Sequence, residues 1–110
     1  MELSKRLQAV ADLVTPGLRI ADIGTDHAYV PVYLLSEGKN PSGIAMDINV
    51  GPLERARKHI GELLTDGELK TRLSDGMKEL KTGEVQCVVI AGMGGLLVNT
   101  ARKEVINEAE

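Results

Sequence analysis

The sequence predicts an α/β fold in which a parallel sheet of about four strands is covered by helices on both faces. Short apolar runs of strand length alternate with segments whose apolar residues recur every three or four positions, as in amphipathic helices. The strand-length runs end in turns that contain Asp and Gly. The chain has 110 residues, 43% hydrophobic and 26% charged, which is typical of one globular domain.

The first half of the chain is predicted to alternate helix, strand and helix. A first helix, capped by Ser4, is indicated by an apolar stripe with spacings of four, three and four residues: Leu3, Leu7, Val10 and Val14. Residues 18–23 form a short apolar run that we predict to be the first strand. Residues 28–37 are predicted to form a helix, because Pro31 fits its first turn.

The second half continues this alternation. Residues 44–47 are predicted to form the second strand, and residues 69–73 form a weaker third strand after an intervening helix. Residues 85–91, which begin at Val85 and end at Ala91, are apolar almost throughout, as expected of a strand buried on both faces. A final helix is predicted from an apolar spacing of four residues: Leu97, Ala101, Val105 and Ala109.

Composition and charge exclude several classes of protein. A net charge of −3 and an aromatic content of 2% disfavour a basic or base-stacking nucleic-acid surface within this segment alone. No apolar run approaches the roughly 18 residues of a membrane span, and no secretory signal opens the chain, so no membrane partner is expected. The single cysteine, Cys87, fits a reducing compartment, which predicts a cytoplasmic protein. Neither His27 nor His59 has a second soft ligand nearby in sequence, so no metal site is expected.

Polar residues follow each predicted strand at its carboxyl end, where ligands bind in open α/β sheets. These residues are Asp22, Gly24, Thr25, Asp26, His27, Asp47, Asn49, Asp75 and Gly76, together with residues 92–95. Asp47 lies 23 positions after Gly24, close to the spacing of about 20 at which an acidic residue binds ribose hydroxyls. The pattern therefore indicates a ligand that contains adenosine.

The turn after the first strand favours a cationic ligand over a dinucleotide. Asp26 stands where the G-x-G-x-x-G fingerprint has its second glycine, and Tyr29 stands at the third. A carboxylate there would repel a pyrophosphate, whereas it would attract an ammonium or sulfonium group. Four strand-end acids (Asp22, Asp26, Asp47 and Asp75) therefore favour S-adenosylmethionine over NAD or ATP.

Structural roles are open alternatives for most of these residues. Asp22 and Asp75 are of a type that often caps turns or helix starts, and His27 at a helix start is as often structural as catalytic. Cys87 lies in an apolar run and is expected in the core. Arg55, Arg57 and Lys58 are expected on a solvated helix face, and the glycines of residues 92–95 can also mark a tight turn.

The same motifs carry a family resemblance. Leu3-Ser4-Lys5-Arg6-Leu7, Ala21-Asp22-Ile23-Gly24-Thr25-Asp26-His27-Ala28-Tyr29, Asp75-Gly76 and Ile90-Ala91-Gly92-Met93-Gly94-Gly95 resemble the bacterial tRNA (adenine(22)-N1)-methyltransferase family. The resemblance implies a Rossmann-like class I methyltransferase fold, S-adenosylmethionine as cofactor and tRNA as partner. Residues 1–110 would be the N-terminal portion of the cofactor-binding domain, without the family's remaining strands and C-terminal coiled coil.

The resemblance also implies roles for individual residues. Asp22, Gly24 and Thr25 would lie near the methionine part of the cofactor, Asp47 would bind the ribose, and Asp75 with Gly76 would border the adenine. Gly92, Met93 and Gly94 would contact the cofactor from the substrate-side loop, with Gly95 and Arg6 towards the substrate. Asp26 and His27 would line the methyl-transfer pocket as catalytic residues.

These observations lead to a predicted function and two alternatives. The prediction is methyl transfer from S-adenosylmethionine to N1 of an adenine in tRNA. One alternative is a fragment that binds the cofactor without methylating tRNA by itself; the other, disfavoured by Asp26, is a nucleotide-binding or NAD oxidoreductase domain. Residues 85–91 would also present an unpaired strand edge, from which we expect a homodimer.

Overall fold

The computed structural model describes residues 2–25, 27–64, 67–90, 96–99 and 104–107; for the last two ranges it describes the backbone alone. The elements in chain order are α1 (Lys5–Leu13), β1 (Ile20–Ile23), α2 (Tyr29–Ser36), β2 (Gly43–Asp47), α3 (Val50–Leu63), β3 (Leu69–Leu73), β4 (Cys87–Ile90), β5 (Leu96–Asn99) and β6 (Glu104–Asn107). The three helices and first four strands predicted from residues 3–91 are thus confirmed, with slightly different ends.

The strands form one sheet in the order β3-β2-β1-β4-β5-β6. The first four strands are parallel, with β1 between β2 and β4. This four-stranded parallel unit, in which α2 connects β1 to β2 and α3 connects β2 to β3, is the Rossmann-like α/β fold that the sequence predicts. β5 and β6 extend it by antiparallel pairing, β5 with β4 and β6 with β5.

The final helix predicted over residues 97–109 is wrong, because the described residues of this segment form β5 and β6. A spacing of four residues fits a helix, but both stretches also carry consecutive aliphatic residues suited to strands. Pairing with β4 supplies hydrogen-bond partners to an edge that would otherwise be open, and this tertiary gain outweighs the helical pattern.

The exposed strand edge expected at residues 85–91 is also wrong. β4 pairs with β1 on one side and with β5 on the other. The chain closes this edge with its own later strand, so the backbone groups of β4 are not available to a second copy. The homodimer expected through this edge therefore loses its structural basis.

The helices of the described residues cover one face of the sheet, whereas the sequence predicted helices on both. Residues of α1 and α2 pack with Ile20 of β1 and Cys87 of β4, and α3 packs over β2 and β3 on the same face. The opposite face carries Ala21, Met46 and Val88, and it is covered by Leu80 from the segment between β3 and β4.

That segment, residues 74–86, forms turns because its sequence favours them. Gly76 and Gly83 both adopt positive φ, at 61° and 78°, which interrupts any helix. The Arg72 guanidinium donates to both carboxylate oxygens of Glu84, at 2.6 and 2.7 Å, and fixes the end of the segment against β3. The second sheet face is therefore closed by turns rather than by a helix.

Local details explain why the first elements begin where they do. Ser4 caps α1, since its hydroxyl accepts a hydrogen bond from the Leu7 amide at 3.3 Å. Pro31 lies in the first turn of α2, as predicted. A Cβ at Gly43 would lie 3.1 Å from both the Ile20 and Leu69 side chains, so β2 requires glycine for close strand packing.

None of the described helices is long and apolar enough to cross a membrane.

Candidate ligand-binding site at the carboxyl ends of the strands

Asp22 and Thr25 form the centre of the candidate site, where β1 ends. Asp22 is buried, at 3% exposure, and its Oδ2 accepts a hydrogen bond of 2.9 Å from the Thr25 hydroxyl. Its other oxygen, Oδ1, has no hydrogen-bond partner among the described residues. A buried carboxylate oxygen without a partner is costly, which is typical of a site that a ligand or proton completes.

The surroundings of Asp22 shift its protonation. Burial raises the pKa of Asp22 from 3.8 to about 7, the Thr25 hydrogen bond lowers it, and the negative charge of Asp47 raises it again. The influence of Asp47 indicates that the two acids at the ends of β1 and β2 act on the same space. This carboxylate therefore titrates near neutral pH, and a cation placed beside it would favour its charged form.

The loop after β1 is fixed by two hydrogen bonds to β2. The amides of Gly24 and Thr25 both donate to the carbonyl oxygen of Met46, at 2.9 and 3.0 Å. Gly24 adopts a φ of 70°, and a Cβ built on it would meet no atom of the other described residues within 4 Å, its chain neighbours aside. The glycine is thus required by backbone conformation, and open space lies beside it where a ligand could approach.

Ala28 carries backbone strain at the start of α2. It adopts a left-handed conformation with φ of 58° and ψ of 32°, which is rare for a residue with a Cβ. Its amide donates to the Thr25 carbonyl at 3.0 Å and so holds the start of α2 against the end of β1. Such strain often occurs at functional loops, and composition or spacing gave no signal for it.

Asp47 is held at the end of β2 by contacts to two neighbouring segments. Its Oδ1 accepts the Asn49 amide at 3.0 Å, and its backbone carbonyl accepts the Ser74 amide at 2.9 Å. Asn49 is the N-cap of α3 by position, without a side-chain cap bond. Asp47 therefore combines the turn-forming role with a location beside Asp22.

The turn after β3 is organised by Ser74, which the sequence reasoning missed. The Ser74 hydroxyl donates to the Gly76 carbonyl at 2.8 Å and accepts the Glu79 amide at 3.2 Å. Ser74 is 5% exposed, whereas the Asp75 side chain is exposed and forms an ion pair with Lys78 at 3.0 Å. A serine directly before Asp-Gly was the available signal, since serine hydroxyls commonly close such turns.

Exposed apolar side chains border the acids, and these were also missed. Ile48 is 58% exposed and Leu73 is 53% exposed, although both are large and aliphatic. With Ser74 and Asp75 they line a shallow cavity of about 270 Å³. An apolar surface beside a polar one suits the flat face of a ring, and such exposure could not be inferred from sequence alone.

His27 and Arg6 lie at the same end of the fold. The His27 ring stacks on Tyr29 and lines a groove with residues of α3. Arg6 is exposed near the start of α1. Lys39, which follows α2, donates to the Ala11 carbonyl at 2.9 Å, so the end of α1 lies beside the end of α2. Gln8 of α1 also donates to the Tyr33 hydroxyl of α2 at 3.3 Å, so α1 runs beside α2 in the same direction. The start of α1, with Arg6, therefore lies towards the carboxyl ends of the strands, where α2 begins.

Five predicted site residues lie outside the described residues: Asp26, Gly92, Met93, Gly94 and Gly95. Cys87, expected in the core, is fully buried there, and burial raises the pKa of its thiol to about 11. The structure thus brings together Asp22, Thr25 and Asp47, with Asp75 on the turn joined to Asp47 through Ser74.

Comparison with known proteins agrees with this arrangement. A family model described as a methyltransferase domain matches residues 3–109. The tRNA (adenine(22)-N(1))-methyltransferase of Bacillus subtilis (strain 168) is 40% identical over 98 residues, which is 89% of this chain and 41% of that protein. The chain therefore spans about two fifths of the length of this curated relative.

Solved structures share the fold. The crystal structure of the B. subtilis tRNA methyltransferase is 37% identical with a TM-score of 0.76, over 81% of this chain and 38% of that one. A Streptococcus pneumoniae structure in complex with S-adenosyl-L-methionine is 36% identical with a TM-score of 0.78, over 84% and 44% of the two chains. An M. capricolum structure in complex with S-adenosyl-homocysteine is 32% identical with a TM-score of 0.72, over 82% and 52%.

The resemblance stated from the motifs is thus confirmed by sequence identity along most of the chain and by a shared fold. The match to the family model extends over nearly every residue, including all four parallel strands. The chain belongs to the methyltransferase domain family, and its similar relatives include tRNA (adenine(22)-N(1))-methyltransferases.

Proposed function

We propose that this chain binds S-adenosylmethionine and forms the cofactor-binding part of a methyltransferase that acts on N1 of an adenine in tRNA. The observation that carries the proposal is the pair of acids at neighbouring strand ends, Asp22 and Asp47, beside open space at Gly24. Relatives with similar sequence have structures in complex with S-adenosyl-L-methionine or S-adenosyl-homocysteine. The substrate is proposed from the B. subtilis relative.

The residues present fit this cofactor. Asp22 has a buried oxygen without a hydrogen-bond partner among the described residues, and a nearby positive charge would stabilise its ionised form. Gly24 leaves room for a ligand beside the loop, and Ile48 with Leu73 offers an apolar surface for a ring. A cationic nucleoside matches this combination of charge, space and apolar surface.

We assign the binding roles accordingly. Asp47 would accept hydrogen bonds from the ribose hydroxyls, and Asp75 with Gly76 would border the adenine. Asp22 and Thr25 would hold the loop that contains Gly24 next to the methionine part of the cofactor. Gly92, Met93 and Gly94, which follow β4 in the sequence, would also contact the cofactor. When bound, S-adenosylmethionine would supply an electrophilic methyl group, and the chain would contribute alignment of the two reactants.

Methylation of adenine N1 requires the chain to stabilise a developing positive charge. N1 of adenine has an in-plane lone pair, so it needs no deprotonation, and it becomes positively charged when it is methylated. We propose that Asp26 accepts a hydrogen bond from the exocyclic amine and stabilises that charge, with His27, Arg6 and Gly95 on the substrate side. Because N1 lies on the pairing edge, the adenine must be unpaired or extruded to react.

Calorimetry tests the cofactor proposal. S-adenosyl-homocysteine should bind, and NAD and ATP should not. Asp47→Asn should weaken S-adenosyl-homocysteine binding roughly 10- to 100-fold, because the amide keeps only one acceptor oxygen and that oxygen is uncharged. Asp12→Asn is the matched control, since Asp12 is exposed on α1 and its partner Gln8 can still bond to the amide oxygen. Tighter binding of ATP than of S-adenosyl-homocysteine would refute the proposal.

Methyl transfer to a tRNA transcript tests the substrate proposal separately. Asp26→Ala should lower turnover by roughly 10²-fold or more, with cofactor affinity much less affected. Unchanged turnover would remove Asp26 from the mechanism. The net charge of −3 favours a second candidate, in which the chain binds the cofactor but does not methylate tRNA by itself. Cofactor binding without methyl transfer would establish that candidate.

A further inference from the structure

The few ring side chains of this protein are concentrated on one surface. The chain has two Tyr, two His and no Phe or Trp. The rings of His27 and Tyr29 stack with centroids 5.0 Å apart and planes at 17°, and Tyr29 meets His59 edge-on, also at 5.0 Å. Low aromatic composition argued against base stacking, but it did not reveal that three of the four rings form a cluster.

The cluster is accessible and held in place. Tyr29 is 41% exposed, although its ring contacts the rings of both His27 and His59. His59 Nδ1 lies 2.7 Å from the His27 carbonyl oxygen, which can only accept, so Nδ1 carries the proton. This bond ties the loop after β1 to α3. An exposed ring with little freedom loses little entropy when another ring stacks on it.

Cationic side chains from α3 complete the surface, which we call the ring groove. It is lined by His27, Tyr29, Arg55, Lys58, His59 and Glu62, with a volume of about 410 Å³. Arg55 and Lys58 are three residues apart and therefore lie on one helix face, and Glu62 is the single carboxylate in the described lining. Among the described residues, the lining thus has a positive charge excess, although the whole chain is negative.

We propose that the ring groove binds single-stranded RNA, with Tyr29 stacking on a base and Arg55 and Lys58 contacting phosphates. Exposed aromatic rings beside cations are the combination that single-stranded nucleic acids bind without sequence readout. An acidic polypeptide would use the cations but not the rings, so the stacked rings favour RNA over an acidic protein.

The position of the groove relates it to the strand-end site. His27 is two residues after Thr25, so their Cα atoms are at most about 7 Å apart. RNA bound in the groove would therefore be held next to the loop that contains Gly24. This inference rests on the proposed function for the identity of the RNA as tRNA, but RNA binding itself is measured without methyl transfer.

Fluorescence anisotropy with a short labelled single-stranded RNA of adenosine and uridine tests the inference. Tyr29→Leu should weaken binding roughly 5- to 100-fold, whereas Tyr29→Phe, which keeps the ring, should bind like the unchanged chain. Lys58→Gln should weaken binding and reduce the salt slope by about 1 between about 50 and 200 mM salt. Glu62→Gln should strengthen binding, since it removes the carboxylate.

Lys70→Gln is the matched control for charge. Lys70 is exposed on β3 and lines a different cavity at the amino ends of the strands, so its loss should leave RNA affinity unchanged. Thermal unfolding of each variant verifies the fold. Absence of RNA binding by the 110-residue chain at low salt, or equal affinity of Tyr29→Leu and the unchanged chain, would overturn the inference. Equal competition by poly-glutamate and unlabelled RNA would also overturn it.

The two proposals can fail separately. S-adenosyl-homocysteine binding is measured by calorimetry on the same variants and should be unchanged in Lys58→Gln and Glu62→Gln. RNA binding that depends on Tyr29 and Lys58 in a chain that binds no cofactor would refute the proposed function alone. Cofactor binding with RNA affinity independent of Tyr29 would refute the ring groove alone.

Discussion

Thr25 donates a hydrogen bond of 2.9 Å to one oxygen of the buried Asp22 carboxylate, and the other oxygen has no partner among the described residues. The backbone amide of Thr25 is itself fixed to the Met46 carbonyl at 3.0 Å. The hydroxyl therefore has a set position and favours the charged form of Asp22, against the burial that favours the neutral form. A positively charged ligand at this strand end would consequently favour the ionised form of Asp22, and ionisation of Asp22 would favour binding of such a ligand.

Stability should depend on pH through Asp22. Its pKa is raised from 3.8 to about 7, so the folded protein binds a proton that the unfolded chain releases between these values. The stabilisation is complete below about pH 4 and is lost as pH rises to about 7, by on the order of a few kcal/mol. Asp22→Asn cannot titrate and should not show this loss.

Denaturant unfolding at a series of pH values measures the difference. The free energy of unfolding of Asp22→Asn, relative to the unchanged chain, should increase between about pH 4 and pH 7 and then level off. Thr25→Val removes the hydroxyl donor, so it should move the midpoint of this dependence to higher pH. Parallel pH curves for Asp22→Asn and the unchanged chain would contradict the assignment.

Glu84 should produce the opposite dependence in acid. Hydrogen bonds from Arg72 and from the Lys81 amide lower the pKa of Glu84 from 4.5 to about 2. The stabilisation is present above about pH 4.5 and is lost as pH falls through about 2, by about 1 kcal/mol for a partly exposed pair. Glu84→Gln should be less stable than the unchanged chain at neutral pH and approach it in acid. A constant difference across this range would argue against the ion pair.

Gly43 should tolerate no side chain. In Gly43→Ala the new Cβ would lie 3.1 Å from the Ile20 and Leu69 side chains and 3.3 Å from the Ile20 carbonyl oxygen. We expect a loss of about 1–3 kcal/mol in the free energy of unfolding, because β1 and β3 must shift. Gly61→Ala in α3 is the control: apart from its chain neighbours and the backbone of its own helix, no atom of the described residues lies within 4 Å of the added Cβ. That change should stabilise the protein by about 0.5–1 kcal/mol. Equal effects of the two changes would contradict the packing argument.

Ser74 should support the turn after β3 and, through it, cofactor binding. Ser74→Ala removes one hydrogen bond to the Gly76 carbonyl and one from the Glu79 amide. We expect a loss of about 1–2 kcal/mol in stability and weaker S-adenosyl-homocysteine binding by calorimetry. Ser36→Ala serves as control, since its hydroxyl makes one exposed bond to the Tyr33 carbonyl. Equal cofactor affinity of Ser74→Ala and Ser36→Ala would show that the turn after β3 does not contribute to cofactor binding.

Elements up to β4 could be predicted from local signals, because those signals and the tertiary structure agree. Ser4 caps α1 by its own hydroxyl, and Pro31 fits the first turn of α2 by its missing amide proton. The run that includes Cys87 is apolar on both sides because the sheet buries both faces of β4. In each case, the interaction that determines the structure involves residues of the same element or the layers packed directly against it.

The segment after β4 could not be predicted, because its local pattern fits two structures. A spacing of four residues suits a helix, whereas the aliphatic neighbours Leu97-Val98 and Val105-Ile106 suit strands. Pairing of β5 with β4 decides between them, and that pairing is a contact between distant parts of the chain. The same pairing removes the open edge on which the dimer prediction depended.

The candidate site, like the fold, was only partly determined by local sequence. Sequence alone determined that acids follow successive strands, and parallel strands must place such residues at one edge of the sheet. Only the tertiary structure decided that Asp22 is buried with an unsatisfied oxygen, that Ile48 is exposed, and that His59 reaches the loop after β1. The burial of a side chain and the contacts between rings depend on how the helices pack against the sheet. The residue types and their spacing along the chain do not determine that packing locally.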